Sequence, residues 1–372
     1  MRTRVSELFG IDFPIFAFSH CRDVVAAVSR AGGLGVFGAL AFSNDQLQVE
    51  LDWIDEHIDG KPYGVDVVMP NSLAEMGGLD KAAFEAMIPQ RHRDFVEEVL
   101  DRHRVPKLPD GVMPFESLLA WTHSGARSQV EIALSHPIKL LVNALGTPPK
   151  DVIDQVHARG VQVAALCGSV EHALRHVQAG IDIIVAQGSE AGGHTGEIGT
   201  MVLIPDVVDA VAPRPVLAAG GIGSGRQIAA ALALGAEGAW MGSVWLTTAE
   251  SDLHPVAREK LLRATSRDTV RSRSMTGKPA RQLRTAWTEA WDDPSSPGAL
   301  AMPLQFMLTS DAISRIHRYA HVESSGAKEL VGSPVGQIVG RMKSVRPVRE
   351  IVYEMMDEFV DAMSRVTALL EE

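Results

Sequence analysis

Eight short apolar runs, each followed by a helical pattern, constrain the fold of this chain more than any other feature. They are Asp12 to Phe18, Gly33 to Gly38, Tyr63 to Val68, Ile138 to Val142, Val161 to Leu166, Asp182 to Ala186, Pro215 to Ala219 and Gly238 to Met241. Each is nearly continuously apolar instead of alternating, as parallel strands are when helices cover one face and side chains fill the other. Helix starts are marked between them. Ser43 with Gln46 and Ser224 with Gln227 read as capping boxes, and Thr147 before Pro148 reads as N-cap then N1. An eightfold strand–helix alternation that ends near residue 250 predicts an α/β fold, a (β/α)8 TIM barrel.

The 372 residues exceed the roughly 250 of one such barrel. The predicted division is a barrel over 1–255 with a helical insertion at about 69–137, a smaller, mostly helical substrate or lid domain over 256–345, and a C-terminal helix over 346–372 that returns to the barrel. The insertion includes the charged helical pattern Lys81 to Arg104. After residue 255 the strand rhythm stops, and helix-like segments such as Leu304 to Tyr319 and Val348 to Leu370 follow. Gly326, Gly332, Gly336 and Gly340 make Ser324 to Gly340 a candidate mobile loop.

A net charge of −11 repels a phosphate backbone, which argues against nucleic acid as a partner. The two cysteines, Cys21 and Cys167, form neither a disulfide framework nor a CxxC pair, and no uninterrupted apolar stretch is long enough to span a bilayer. The expectation is a cytoplasmic enzyme acting on a small molecule, with no membrane partner.

The most informative stretch, Gln187-Gly-Ser-Glu-Ala-Gly-Gly-His194-Thr-Gly196, directly follows the sixth run. It therefore falls at a strand's C-terminal end, where TIM-barrel active sites form, and Gly192 and Gly193 let backbone N–H groups approach an anion. Ala218-Ala-Gly-Gly-Ile-Gly-Ser-Gly225 follows the seventh run and Met241-Gly-Ser243 the eighth, the two loops that bind phosphate in such barrels. Gly33-x-Gly35-x-x-Gly38 fits the dinucleotide-binding pattern by letter, but it leaves a helix and opens a strand, the reverse of what that loop requires. It is assigned to close helix-to-strand packing.

Gly188-x-Glu190-Ala-Gly-Gly-His194-x-Gly196, the Ala219-Gly-Gly-Ile222 loop, Met241-Gly-Ser243 and Thr276-Gly-Lys-Pro-Ala-Arg281 together resemble the nitronate monooxygenase (2-nitropropane dioxygenase) family. The resemblance spans the barrel and enters the second domain, and the histidine motif is shared with flavin-dependent enoyl-ACP reductases and some NADH:quinone reductases. It implies a non-covalent FMN across the barrel mouth. Positions matching Gly192, Gly193, Gly220, Gly221, Gly242 and Ser243 hold its phosphate, with Ala219, Ile222 and Met241 in the same loops. Gln187 matches a position beside the ribityl chain, Phe18, Ser19 and His20 match the segment along the isoalloxazine, and His194 matches the catalytic histidine. The chain departs from the family in three places. Phe16-Ala-Phe-Ser-His20-Cys21 replaces the usual segment after Pro14-Ile15, Asp66 stands where relatives often carry an asparagine, an acid that cannot donate when ionised, and Leu166 replaces a lysine found in some members.

The implied reaction is oxidation of an alkyl nitronate by oxygen to a carbonyl compound and nitrite, with His194 as general base or as a hydrogen-bonding partner of the nitronate. Three rivals stand beside it: a flavoenzyme using NAD(P)H with an enoyl thioester or quinone, a dehydrogenase barrel with Cys167 as nucleophile, and a phosphate-ligand sensor. Arg91-His-Arg93 and His103 read as a solvated face rather than a metal site. Trp240 and Trp245 read as barrel-wall residues, and Met302 to Leu308 as core or cleft lining.

Overall fold

The computed structural model describes residues 1–69, 81–112 and 123–370. Its strands are β1 (Ile15–Ser19), β2 (Leu34–Gly38), β3 (Tyr63–Val67), β4 (Leu140–Asn143), β5 (Gln162–Cys167), β6 (Ile183–Gln187), β7 (Gly193–His194), β8 (Val216–Ala219), β9 (Gly238–Met241), β10 (Thr269–Ser272) and β11 (Ala280–Leu283). Eight of them close a barrel in the order β1-β2-β3-β4-β5-β6-β8-β9, every pairing parallel and β9 returning to β1. All eight apolar runs of the sequence are these strands.

Side-chain alternation explains why the runs are apolar throughout. Phe16, Val36, Leu140, Val142, Val185 and Leu217 share the core inside the barrel. Their neighbours Ile15, Ala17, Phe37, Leu141, Ile184 and Ala218 belong to a second core shared with the covering helices. Both faces are buried, so neither can be polar. Trp240 belongs to the inner core and stacks on Phe18 at 6.2 Å, which corrects its assignment to the wall. Trp245 is buried in the outer core and donates its indole N–H to the Met241 carbonyl at 2.8 Å. The N-terminal helix Arg4–Phe9 closes the lower end, where Phe9 meets Phe16 edge-on at 5.6 Å. The mouth is left at the C-terminal ends of the strands.

Gly35 serves close packing: a Cβ there would lie 2.3 Å from the Val25 carbonyl oxygen of the helix Arg22–Arg30. The Ser43–Gln46 capping box forms, but the other two helix starts differ from expectation. The Thr147 hydroxyl is engaged with His176 Nδ1 at 2.8 Å, and its helix begins later, over Lys150–His157. Ser224 turns its hydroxyl to Gln227, while Glu358 accepts the Gly225 N–H at 2.8 Å and so caps the helix Gly225–Ala233. Glu358 lies on the C-terminal helix Val348–Ala368, which packs against Gly225–Ala233 and Arg22–Arg30.

Of the insertion, 70–80 and 113–122 lie outside the described residues. Its helix Gln90–Arg102 shares an apolar core with Trp287, Trp291, Leu308 and Ile316, so Leu308 is core. The buried Arg315 bonds Glu97 at 2.8 Å and the Val105 and Pro106 carbonyls, fastening this helix to Leu304–Tyr319. His92 bonds the Gly298 carbonyl and His103 that of Val99, and no metal-suited cluster of His, Cys, Asp or Glu occurs among the described residues. No helix among the described residues is long and apolar enough to cross a membrane.

The region beyond residue 255 is not purely helical. β10 and β11 form an antiparallel hairpin, and β11 also pairs with β7, the strand that carries His194. Nor is 324–340 a free loop. It contains the helix Ala327–Leu330, and backbone bonds tie Ser333 to Leu283, Val335 to Arg281 and Gln337 to Glu190.

Candidate active site

The strand ends gather the residues singled out in the sequence at one mouth. Phe18 and Ser19 end β1 with His20 next, and Asp66 lies in the upper part of β3. Gln187 ends β6, Ala219 ends β8 ahead of Gly220 to Ile222, and Met241 ends β9 ahead of Gly242 and Ser243.

His194 reaches this mouth because the loop after β6 is pulled into a strand. β7 pairs Gly193 with Arg281 and His194 with Ala280. The Arg281 guanidinium donates to the Ser189 carbonyl at 2.9 Å and that of Arg271 to Thr195 at 3.2 Å, so both arginines clamp the loop from the hairpin. His194 Nε2 lies 2.7 Å from the Thr276 hydroxyl. A hydroxyl can donate to an unprotonated Nε2 or accept from a protonated one, so Thr276 can accompany either state. Burial, then the nearby Lys278 ammonium, lower the His194 pKa to about 4. Lys278 is itself half-buried, its pKa is lowered by burial, and it has no carboxylate partner among the described residues. Thr276 and Lys278 carry roles the sequence did not reveal. Their motif was visible, but only the antiparallel pairing of β11 with β7 shows that its turn lies against the histidine.

The glycines divide into two kinds. A Cβ on Gly192 would lie 2.8 Å from Gly336 N and from the Val335 carbonyl carbon, so a side chain here would strike the strap formed by 333–342. Gly193, at φ +76°, would point its Cβ into open space with no atom within 4 Å. Gly220 and Gly221 have φ of +100° and +69°. Glu190 accepts the Thr200 N–H and hydroxyl at 2.9 and 2.8 Å, capping the helix Thr200–Val211 and holding the motif against the β8 loop. Ser243 uses its hydroxyl oxygen to accept the strap's Gly336 N–H at 2.8 Å. Gln187 is half-buried and makes a long 3.5 Å contact to the Gly192 carbonyl. Glu358 occupies the first N–H of the helix Gly225–Ala233, and Gln227 accepts the Gly223 N–H at 3.0 Å, so neither of these amides is free for an anion.

Asp66 is buried, and its Oδ1 has no hydrogen-bond partner. Burial pushes its carboxyl well above the usual carboxylate range, with a bond from the Ala144 backbone acting the other way. The protonated form is favoured, and that form can donate as the asparagine of relatives would. Its alignment with Gly38 and Val142 across β2 and β4 places it in the top interior layer. Leu166, in β5, packs with the interior core. Cys167 is buried, and burial pushes its thiol up to about 12, which removes the nucleophile that the dehydrogenase rival needs.

A closed parallel barrel with a histidine and glycine loops at its C-terminal mouth defines a TIM-barrel enzyme. The sequence pattern of the nitronate monooxygenase family matches residues 2–358. A Mycobacterium tuberculosis protein with a provisional monooxygenase name is 54% identical over 374 residues, spanning 100% of both chains. Among solved structures, a nitroalkane oxidase from Streptomyces ansochromogenes superposes with a TM-score of 0.78 at 26% identity, covering 97% of this chain and 99% of its own. FabK from Thermotoga maritima gives 0.74 at 28% identity, with 99% of each chain covered. The chain belongs to the nitronate monooxygenase family and is a flavin-dependent oxidoreductase.

Proposed function

We propose that the protein binds FMN at the barrel mouth and oxidises alkyl nitronates with oxygen, giving a carbonyl compound and nitrite. The observation that carries this reading is the pairing of His194 with an uncompensated cation: a neutral imidazole held by Thr276, with the Lys278 ammonium beside it, suits an anionic substrate. The same cation disfavours a proton on His194, so of the two roles its residue type allows, hydrogen bonding to the nitronate is the better supported.

The residues present fit FMN. Asp66 Oδ1 is a buried polar atom that lacks a partner, and the space in front of Gly193 is one that a Cβ would fill. Gly192, Gly193, Gly220, Gly221, Gly242 and Ser243 would hold the phosphate through backbone groups, with Ala219, Ile222 and Met241 shaping the loops. Phe18, Ser19, His20 and Asp66 would face the ring system, and Gln187 the ribityl chain. When bound, FMN supplies the electron-accepting chemistry, and the protein supplies position and electrostatics.

The test is a visible spectrum of the purified protein followed by anaerobic addition of an alkyl nitronate, NADH or NADPH. Flavin absorbance bleached by nitronate alone supports the proposal. The full-length likeness to FabK favours a second reading, an NAD(P)H-dependent reductase of an enoyl thioester or quinone, and bleaching by NAD(P)H alone would establish that instead. A protein that takes up no FMN on reconstitution would refute both.

A further inference from the structure

Among the described residues Asp66 is the only buried carboxyl, 4% exposed, and no cation pairs with it. Its surroundings are short of polar groups. β2, β4 and the turn Ala39–Ala41 beside it carry no ionisable side chain, and Leu166 on β5 puts hydrocarbon on the interior side. Arg22, Asp23, Arg30, Arg127 and Glu131 belong to the helices Arg22–Arg30 and His123–Ser135, which cover the outer side of the wall. Inside the mouth the titratable neighbour is His20, whose Nδ1 lies 2.8 Å from the carbonyl oxygen of Gly38, the residue in register with Asp66. A carbonyl only accepts, so Nδ1 carries the proton, and burial, opposed by that bond and by Asp252, favours the neutral ring. The neighbouring amide of Asn143 is spent on the Met69 N–H at 2.8 Å and the Gly146 carbonyl at 2.9 Å.

An ionised carboxylate without a counter-charge is disfavoured in such a place, and Oδ1 has no partner at all. An un-ionised acid needs one acceptor for its O–H. The isoalloxazine of FMN offers carbonyl oxygens and unprotonated ring nitrogens, against a single N–H. From this placement we infer that Asp66 binds the flavin as a neutral acid, its O–H donating to the ring, so that FMN capture is coupled to one proton. The inference rests on the FMN site of the proposed function, and it gives Asp66 a role that the asparagine of relatives would fill without a proton. Folding already favours the protonated acid. A bond that only this form can make holds the proton more firmly, so the FMN-bound protein keeps it to higher pH than the free protein does. Between those two pH values binding takes up a proton and weakens as pH rises.

The experiment is titration of full-length apoprotein with FMN between pH 6 and pH 9, read by flavin fluorescence and by calorimetry in two buffers of different ionisation enthalpy, which counts protons. One coupled proton can change affinity by up to about tenfold per pH unit. The wild type should take up a proton on binding and lose about tenfold or more in affinity across the range. Asp66→Asn keeps an N–H donor at every pH, so it should bind about as tightly as the wild type at pH 6 and lose both the uptake and that share of the pH dependence. Asp66→Val has no donor and should bind about tenfold more weakly than Asp66→Asn throughout. The FMN phosphate and His20 titrate in all three proteins, so the difference between wild type and Asp66→Asn isolates Asp66. Equal pH profiles in those two would overturn the inference. Proton release with tighter binding at high pH would also overturn it, since Asp66 would then be an ionised acceptor. The wild-type proton count decides the matter should the variants fold poorly. A wild type that takes up no FMN at any pH would refute the FMN site itself, whereas uptake without proton coupling would refute this inference alone.

Discussion

Substituting alanine at Gly192 or at Gly193 should separate what the paired glycines do. At Gly192 the new methyl falls 2.8 Å from two backbone atoms of the strap, Gly336 N and the carbonyl carbon of Val335. Backbone cannot yield as a flexible side chain does, and the strap is bonded to Glu190, Ser243 and Arg281. Overpacking of this kind costs about 1–3 kcal/mol. Unfolding entropy of about 2 cal/mol/K per residue over 372 residues gives roughly 0.8 kcal/mol per kelvin. Gly192→Ala should therefore lower the Tm by about 1–4 °C before any FMN is added. Gly193→Ala meets no atom, so its cost is the left-handed backbone alone, about 1–2 kcal/mol. Its methyl enters the space assigned to the ligand, so it should weaken FMN by more than its Tm change accounts for. Thermal melts with and without FMN, and fluorescence titration of apoprotein, read both quantities. If Gly192→Ala melts with the wild type, or Gly193→Ala binds FMN with wild-type affinity, the division of labour between the two glycines is wrong.

Thr276→Val removes the hydroxyl 2.7 Å from His194 Nε2 and should lower kcat/KM for nitronate up to about tenfold, as loss of one hydrogen bond of 0.5–1.5 kcal/mol predicts; unchanged kinetics would remove Thr276 from the site. Lys278→Met removes a half-buried charge whose attraction for a neighbouring anion, after solvent screening, is worth about 1 kcal/mol. Nitrate, an inert anion, should then bind five- to tenfold more weakly by calorimetry, and the His194 pKa should rise from about 4 in an NMR titration. Equal nitrate affinity in both proteins would contradict the assigned role of the cation. Because folding holds the Asp66 proton to higher pH than the unfolded chain does, that residue costs stability as pH rises above the usual Asp value of about 4. Asp66→Asn should therefore raise the Tm of the apoprotein more at pH 8 than at pH 4, and a pH-independent difference would mean that the carboxyl is not held protonated.

Much of the architecture was legible in the sequence because it depends on local pattern. Buried parallel strands must be apolar on both faces, so the eight runs could be counted, and the position of the loops after β6, β8 and β9 at strand ends followed from that count. Glycine identity was equally plain, but its reason was not. Gly192 has a second reason that the sequence did not show: a Cβ there would strike Gly336, a contact between segments more than a hundred residues apart in the chain. Helix starts went astray where a side chain found a distant partner, as Thr147 did in His176 and the Gly225 N–H in Glu358.

The sequence by itself determined the barrel and the place of His194 in the loop after its sixth strand, since each rests on residue type and spacing along the chain. Only the tertiary structure decided what surrounds that histidine. The β11–β7 pairing brings the Thr276–Lys278 turn to it, the packing of β5 buries Cys167, and the bare carbonyl of Gly38 fixes the tautomer of His20. Electrostatic setting and proton position depend on through-space distance and burial, and neither is a property of any stretch of sequence.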